Sequence, residues 1–216
     1  MTPQKSPRLD RKLVADTALR LLDEVGLDGL TLRAIAAELD VKAPALYWHF
    51  KDKQALLDEM ATEMMRRMNS AGEPPAGDWR EAYRAAMHGL RAQLLRYRDG
   101  ARVYSGARFT DTSYAAGLDA GLRLLVDAGF TLTAAARAWY TGYSYTIGYT
   151  VEQQAMGPNP FVGEAGYDLE ARAERLAAHP LAAAAGLVMF GDFDEGYAQG
   201  LEAILVGIDT WRTGRA

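Results

Sequence analysis

From Asp10 onward the apolar residues recur at intervals of three and four. Val14, Ala18, Leu21, Leu22 and Val25 share one helical face, with Asp10 in the N-cap position and Gly26 where a helix can end. A second face follows at Leu32, Ile35, Ala36 and Leu39, opened by Thr31 as cap. Asp40-Val41-Lys42 breaks the pattern as a three-residue turn. Pro44 then fits the first turn of a third helix, where its missing N–H would be unpaired anyway. Leu46 and Phe50, four apart, form that helix's inner pair, which turns Tyr47, Trp48 and His49 off the buried face. Asp52 caps a fourth helix running through Leu56, Met60 and Met64 toward Met68.

The stretch SAGEPPAG at 70–77 has loop composition. It divides a head at 1–57, with a connecting helix at 53–69, from a larger domain at 70–216. Helical periodicity in the second domain predicts elements at 79–95, 102–106, 112–128 (ended by Gly129), 133–152, 169–178, 181–190 and 193–211. Residues 157–166 carry two prolines and read as a loop. No segment alternates like a strand and no internal repeat is found, so the predicted fold is all-α.

Composition narrows the function. The 216 residues include no cysteine, which removes disulfides, zinc–thiolate sites and thiol nucleophiles and accords with a cytoplasmic location. The first residues lack the apolar core of a signal peptide, and the longest apolar run, 181–190, is too short to span a bilayer; no membrane partner is expected. No nucleophile elbow, phosphate loop, dinucleotide fingerprint or histidine-rich metal spacing is present, and His49, His88 and His179 are scattered. The expectation is therefore a non-enzyme without metal or cofactor. The net charge is −4, yet residues 1–53 hold nine basic residues against eight acidic ones. Phosphate attraction decays over about 10 Å at 0.1 M salt, so this local +1 permits DNA binding without specifying it. On pattern alone, the first fifty residues fit a helix-turn-helix reader and an ordinary three-helix bundle equally well.

The segment LTLRAIAAELDVKAPALYWHFKDKQALL, within a match from Arg11 to Leu57, is similar to the DNA-binding pattern of the tetracycline-repressor (TetR) family. The resemblance implies that Arg33 reads a base, a guanidinium being able to bond bidentately to guanine. It places Pro44 and Tyr47 at the groove, Trp48 and His49 toward phosphates, and Lys53 on a phosphate near a helix N-terminus. Lys42 and Ala43 join this candidate surface. Packing of Trp48 against the first helix is the competing reading. Ala43 and Ala45 stand where the family's tetracycline repressor has glutamine and threonine, which implies a different operator and fewer hydrogen bonds from the third helix.

The second domain resembles the same family more weakly, through YRDGARVY at 97–104, Gly129-Phe130-Thr131 and TIGYTVE at 146–152. The resemblance implies a small-molecule effector held by Asn69, Tyr83, Met87, Leu90, Tyr104, Phe109, Trp139 and Tyr143. Tyr104 and Asn69 stand at the positions of two histidines that hold magnesium and drug in the tetracycline repressor, Ala86 and Leu90 replace a further asparagine and phenylalanine, and Glu152 keeps an acid. A phenol ligates metal poorly, so the effector implied is a flat aromatic or polycyclic compound rather than magnesium–tetracycline. These aromatics equally suit a core. A homodimer is implied through the 133–152 and 193–211 helices, using Tyr197, Leu201, Ile204, Leu205 and Ile208 with Gly200 and Gly207, and with Tyr145 and Tyr149 able to face the partner. The implied function is a ligand-released dimeric repressor on a palindromic operator. The alternative is a helical ligand-binding protein or enzyme that no longer acts through DNA.

Overall fold

A computed structural model describes residues 9–69 and 78–212, so the 70–77 loop of the sequence reading lies outside the described residues. The described residues form eleven helices: α1 (Arg11–Gly29), α2 (Leu32–Glu38), α3 (Ala43–Tyr47), α4 (Lys53–Asn69), α5 (Trp79–Leu95), α6 (Gly100–Tyr104), α7 (Ala115–Asp127), α8 (Leu132–Met156), α9 (Leu169–Arg175), α10 (Pro180–Gly191) and α11 (Phe193–Asp209). Among them no helix is long and apolar enough to cross a membrane.

The head forms as its caps dictate. The Asp10 carboxylate accepts from Leu13 N at 2.8 Å and the Thr31 hydroxyl from Ala34 N at 3.1 Å. Asp52 accepts from Ala55 N at 2.8 Å and opens α4. Gly26, at φ 68°, kinks α1. The kink leaves Val25 exposed, contrary to its predicted place on the inner face. Below the kink, Leu27 N donates to the Asp99 carboxylate at 2.8 Å, tying α1 to the α5–α6 junction.

Several helix boundaries shift. Helix α6 starts and ends two residues before its predicted span because Asp99, at φ 57°, makes a left-handed turn off α5. A Cβ on Gly100 would lie 2.2 Å from the Leu94 carbonyl, so only glycine fits the turn. Helix α7 begins at Ala115 rather than 112, since the Asp111 carboxylate holds Ser113 N at 2.8 Å and keeps that stretch a loop. Helix α8 continues past Glu152 to Met156, and α9 stops at Arg175 in a turn that leads to Pro180, the first residue of α10.

Buried apolar side chains make two clusters. One runs without a break from Val14, Leu22, Leu46 and Phe50 in the head through Met60 and Met64 to Leu90, Leu94, Tyr104 and Ile147 in the body. The other joins Trp79, Tyr83 and Met87 of α5 to Leu125, Ala135, Ala138 and the α11 residues Tyr197, Leu201, Leu205 and Ile208. The α11 face predicted to meet a second subunit is thus used inside the chain. Gly200 gives close approach to Tyr145, whose ring stacks on Tyr197 at 5.4 Å with Tyr149 beside it at 5.5 Å. Those tyrosines face their own chain, because α8 and α11 pack directly on each other.

Candidate nucleic-acid interface and effector core

Helix α3 is five residues long, too short to hold itself, and is fixed by burying Leu46 and Phe50 completely. What remains faces water. Tyr47 is 53% exposed and Trp48 is 90% exposed, which rules out packing of the indole against α1. Arg33, at the second position of α2, is exposed, as are Lys42 and Pro44, while Ala43 is half-buried. Arg33 and Lys42 make no ion pair among the described residues, so both are available to a polyanion. His49 is half-buried, its ring 6.5 Å from that of Phe50. Its carbonyl accepts from Arg11 Nη1 at 2.5 Å, and the same guanidinium lies over the Phe50 ring at 4.5 Å. Lys53 is exposed but donates to the Leu27 carbonyl at 2.7 Å, so it has a structural bond as well as a free side to offer.

The eight effector candidates fall into two packed groups and one exposed residue. Tyr104, Leu90, Phe109 and Tyr143 belong to the first cluster, and Tyr83, Met87 and Trp139 to the second. Asn69 is exposed and donates to the Ser113 carbonyl at 2.7 Å. In the first group Tyr104 meets Phe109 at 5.5 Å and Tyr143 at 6.3 Å. In the second, Tyr83 meets Trp139 edge-on at 6.0 Å, its hydroxyl donates to the Ala138 carbonyl at 2.7 Å, and the indole rests on Gly121, where a Cβ would come within 2.4 Å. Burial pushes the Tyr83, Tyr104 and Tyr143 hydroxyls above the usual phenol range, so they remain neutral donors at pH 7.

The Tyr104 hydroxyl is buried beside Met65 Sδ at 3.9 Å, and among the described residues no carboxylate or imidazole is bonded to it. Glu152 is exposed on α8.

Sequence reasoning missed two features. Tyr140 and Tyr114 extend the rings of the first group, Tyr140 stacking on Tyr143 at 6.0 Å and Tyr114 lying tilted against Phe109 at 5.3 Å. Their signal was available in the i, i+3 spacing of Tyr140 and Tyr143. The other is a buried ionic network on α4, whose Glu59, Glu63 and Arg66 recur at i, i+4 and i+7. It borders a cleft of about 710 Å³ lined by Asp10, Arg11, Lys12, His49, Glu59, Arg66 and Thr110, at the junction of head and body.

Comparison with known proteins agrees with this layout. The family model described as "Bacterial regulatory proteins, tetR family" matches residues 14–60, and "Tetracyclin repressor-like, C-terminal domain" matches residues 71–212. The class C tetracycline repressor protein of Escherichia coli is 39% identical over 208 residues, 95% of this chain and 93% of that one. A possible TetR family transcriptional regulator from Streptomyces coelicolor A3(2) superposes with a TM-score of 0.80 at 38% identity, covering 94% of this chain and all of the other (100%). A TetR variant from Acinetobacter baumannii AYE, solved in complex with minocycline, gives a TM-score of 0.71 at 31% identity over 96% of this chain and 100% of that one. The chain belongs to the TetR family of bacterial transcriptional regulators, which are ligand-responsive DNA-binding repressors.

Proposed function

We propose that two copies of this chain hold a palindromic operator, one α3 in each half-site, and that a flat aromatic or polycyclic compound other than magnesium–tetracycline releases them. The observation that carries the reading is the contrast across α3 and the turn that ends it: Leu46 and Phe50 are wholly buried, while Trp48 between them stands 90% exposed. An isolated monomer gains nothing by presenting an indole to water on a short helix. A major groove gives it phosphate and sugar to pack on.

In this reading Arg33 supplies direct readout and Tyr47 and Pro44 touch the groove floor. Ala43 offers only methyl contact, Lys42, Trp48 and His49 meet the backbone, and Lys53 adds charge. Two heads must sit about 34 Å apart, one turn of DNA. The faces left for the second copy are the outer sides of α8 and α11, where Tyr140, Ser144 and Gly148, and Ala203, Val206 and Gly207, are exposed. Action on a genomic operator places the protein in the cytoplasm.

The effector enters by parting the rings around Tyr104, Phe109 and Tyr143 and those around Tyr83, Met87 and Trp139, with Leu90 between and Asn69 at the rim. Its binding energy must favour the parted state over the DNA-bound one, or no release follows. The relatives' names make tetracycline the compound that puts this reading most at risk, and the buried neutral Tyr104 is the reason to expect no response.

Footprinting on the DNA upstream of the protein's own reading frame tests the proposal, followed by challenge with aromatic natural products and with magnesium plus tetracycline. The expected result is a protected inverted repeat, lost at higher salt, released by an aromatic compound and unaffected by magnesium–tetracycline. Absence of a protected repeat overturns the repressor reading; release by magnesium–tetracycline overturns the effector reading.

A further inference from the structure

A continuous set of charged bonds joins the carbonyl end of the reading helix to the loop between α6 and α7. Arg11 donates through Nη1 to the His49 carbonyl at 2.5 Å and through Nε to Glu59 Oε2 at 2.7 Å. Glu59 is almost fully buried. Its other oxygen takes Arg66 Nη1 at 3.2 Å, and Oε2 also accepts the Thr110 hydroxyl at 3.1 Å. Arg66 donates to the single oxygen Asp111 Oδ2 through both Nε at 2.9 Å and Nη2 at 2.5 Å, while Asp111 Oδ1 accepts from Ser113 N at 2.8 Å. Thr110 N donates to the Thr62 hydroxyl at 2.9 Å, which pins the same loop to α4 a second time. The residue before Thr110 is Phe109, whose ring lies on Tyr104 at 5.5 Å and on Tyr114 at 5.3 Å.

The loop therefore has an aromatic end in the proposed effector core and a charged end on α4. We infer that Arg11, Glu59, Arg66 and Asp111 are positioning residues for DNA reading, and that displacement of Phe109 is what releases them. The inference rests on the repressor reading for its purpose, and on the bonds alone for its existence. A ligand that moves Phe109 draws Thr110 from Glu59 and Asp111 from Arg66. Glu59 is buried and cannot be left short of partners without cost, so Arg66 and Arg11 re-form around it. Arg11 then lets go of the His49 carbonyl, and α3, short and held by two side chains, loses its fixed angle. Isolated exposed ion pairs are worth little, so coupling of this kind depends on the shared buried carboxylate.

Two measurements on the full-length protein test this, with Asp111→Asn as the probe and Asp111→Glu as the conservative rescue. Asp119→Asn is the control, since it breaks an exposed α7 pair with Arg123 at 2.9 Å. Amide hydrogen exchange needs no DNA. D111N is expected to speed exchange at residues 46–50 and in the loop at 109–113, while α11 stays at the wild-type rate and D119N changes neither. Faster exchange everywhere signals plain destabilisation and overturns the inference, as does unchanged exchange at 46–50.

The second measurement is binding of a labelled duplex from the upstream region. D111N is expected to lose at least about fivefold in affinity, the lower end of ordinary coupling between sites, and D111E to regain it. D111N combined with Arg11→Lys is expected to lose no more than the worse single variant, because both cut one path. Additive losses overturn the relay. Failure of the wild type to bind, with the exchange pattern as expected, overturns the repressor reading and leaves the relay standing.

Discussion

At the scale of single residues, the reading head separates side chains that specify from side chains that hold. Arg33 is exposed and unpaired among the described residues, whereas Lys53 is tied to the Leu27 carbonyl. Arg33→Ala should therefore cost about 1–3 kcal/mol on the upstream duplex and little on a scrambled one. Lys53→Ala should weaken both duplexes alike and lower the salt slope by about one. Anisotropy titrations across salt on the two duplexes decide between them; equal losses for both variants on both duplexes would remove Arg33 from readout.

Asp111 makes a second residue-scale prediction. Hydrogen bonds from Ser113 and the clasp of Arg66 hold its carboxyl at about 2, against an ordinary 3.8. A depressed carboxylate contributes stability that is complete above 3.8 and is lost as pH falls toward 2. The denaturation midpoint of D111N should therefore trail the wild type by a constant gap from neutral pH down to about 5, and the gap should close below about 4. A gap that persists undiminished at the acid end would show that the carboxylate's charge is not what matters.

At the scale of elements, the helix order of the head was legible because caps and apolar spacing agree: Asp10, Thr31 and Asp52 all cap as their sequence positions suggest. The boundaries that moved depend on local bonds and close approaches that apolar periodicity does not encode. The Leu94–Gly100 approach set α6, and the Asp111–Ser113 bond set α7. Side-chain direction was harder still. The surface of α3 could be read from Leu46 and Phe50, yet an apolar stripe on α11 fits a partner subunit and a neighbouring helix equally well, and α8 took it.

Adjacent α11 residues therefore have opposite predicted roles. Leu205, 1% exposed, belongs to the fold, and Leu205→Ala should cost about 2–5 kcal/mol by chemical denaturation. Val206, 72% exposed, is predicted to belong to the dimer. Val206→Glu should leave the helical circular dichroism intact and shift the mass in light scattering from dimer toward monomer. A Val206→Glu protein that remains dimeric would move the interface elsewhere, and the exposed apolar face of α10 around Leu181 and Val188 would be the next surface to test.

At the scale of the molecule, the head and the body share one buried cluster that runs from Val14 to Ile147 through α4, and α4 is buried on two sides. A head with its own core could unfold or swing alone. This one is packed against the body through Met60 and Met64, and bonded to it through Leu27–Asp99 and Glu59–Thr110. Two consequences follow. A change in the ring packing around Tyr104 reaches the heads as a movement of packed helices rather than through a loose linker. Unfolding should also be one event. Calorimetry should show a single transition with equal calorimetric and van't Hoff enthalpies, allowing for a midpoint that rises with concentration in a dimer. Leu46→Ala in the head and Leu94→Ala in the body should lower that same transition, each by the cost of a core cavity, about 2–5 kcal/mol. If Leu46→Ala instead splits off an early transition and leaves the main one in place, the head is an independent unit. The shared cluster then cannot be what carries the effector's signal to the DNA.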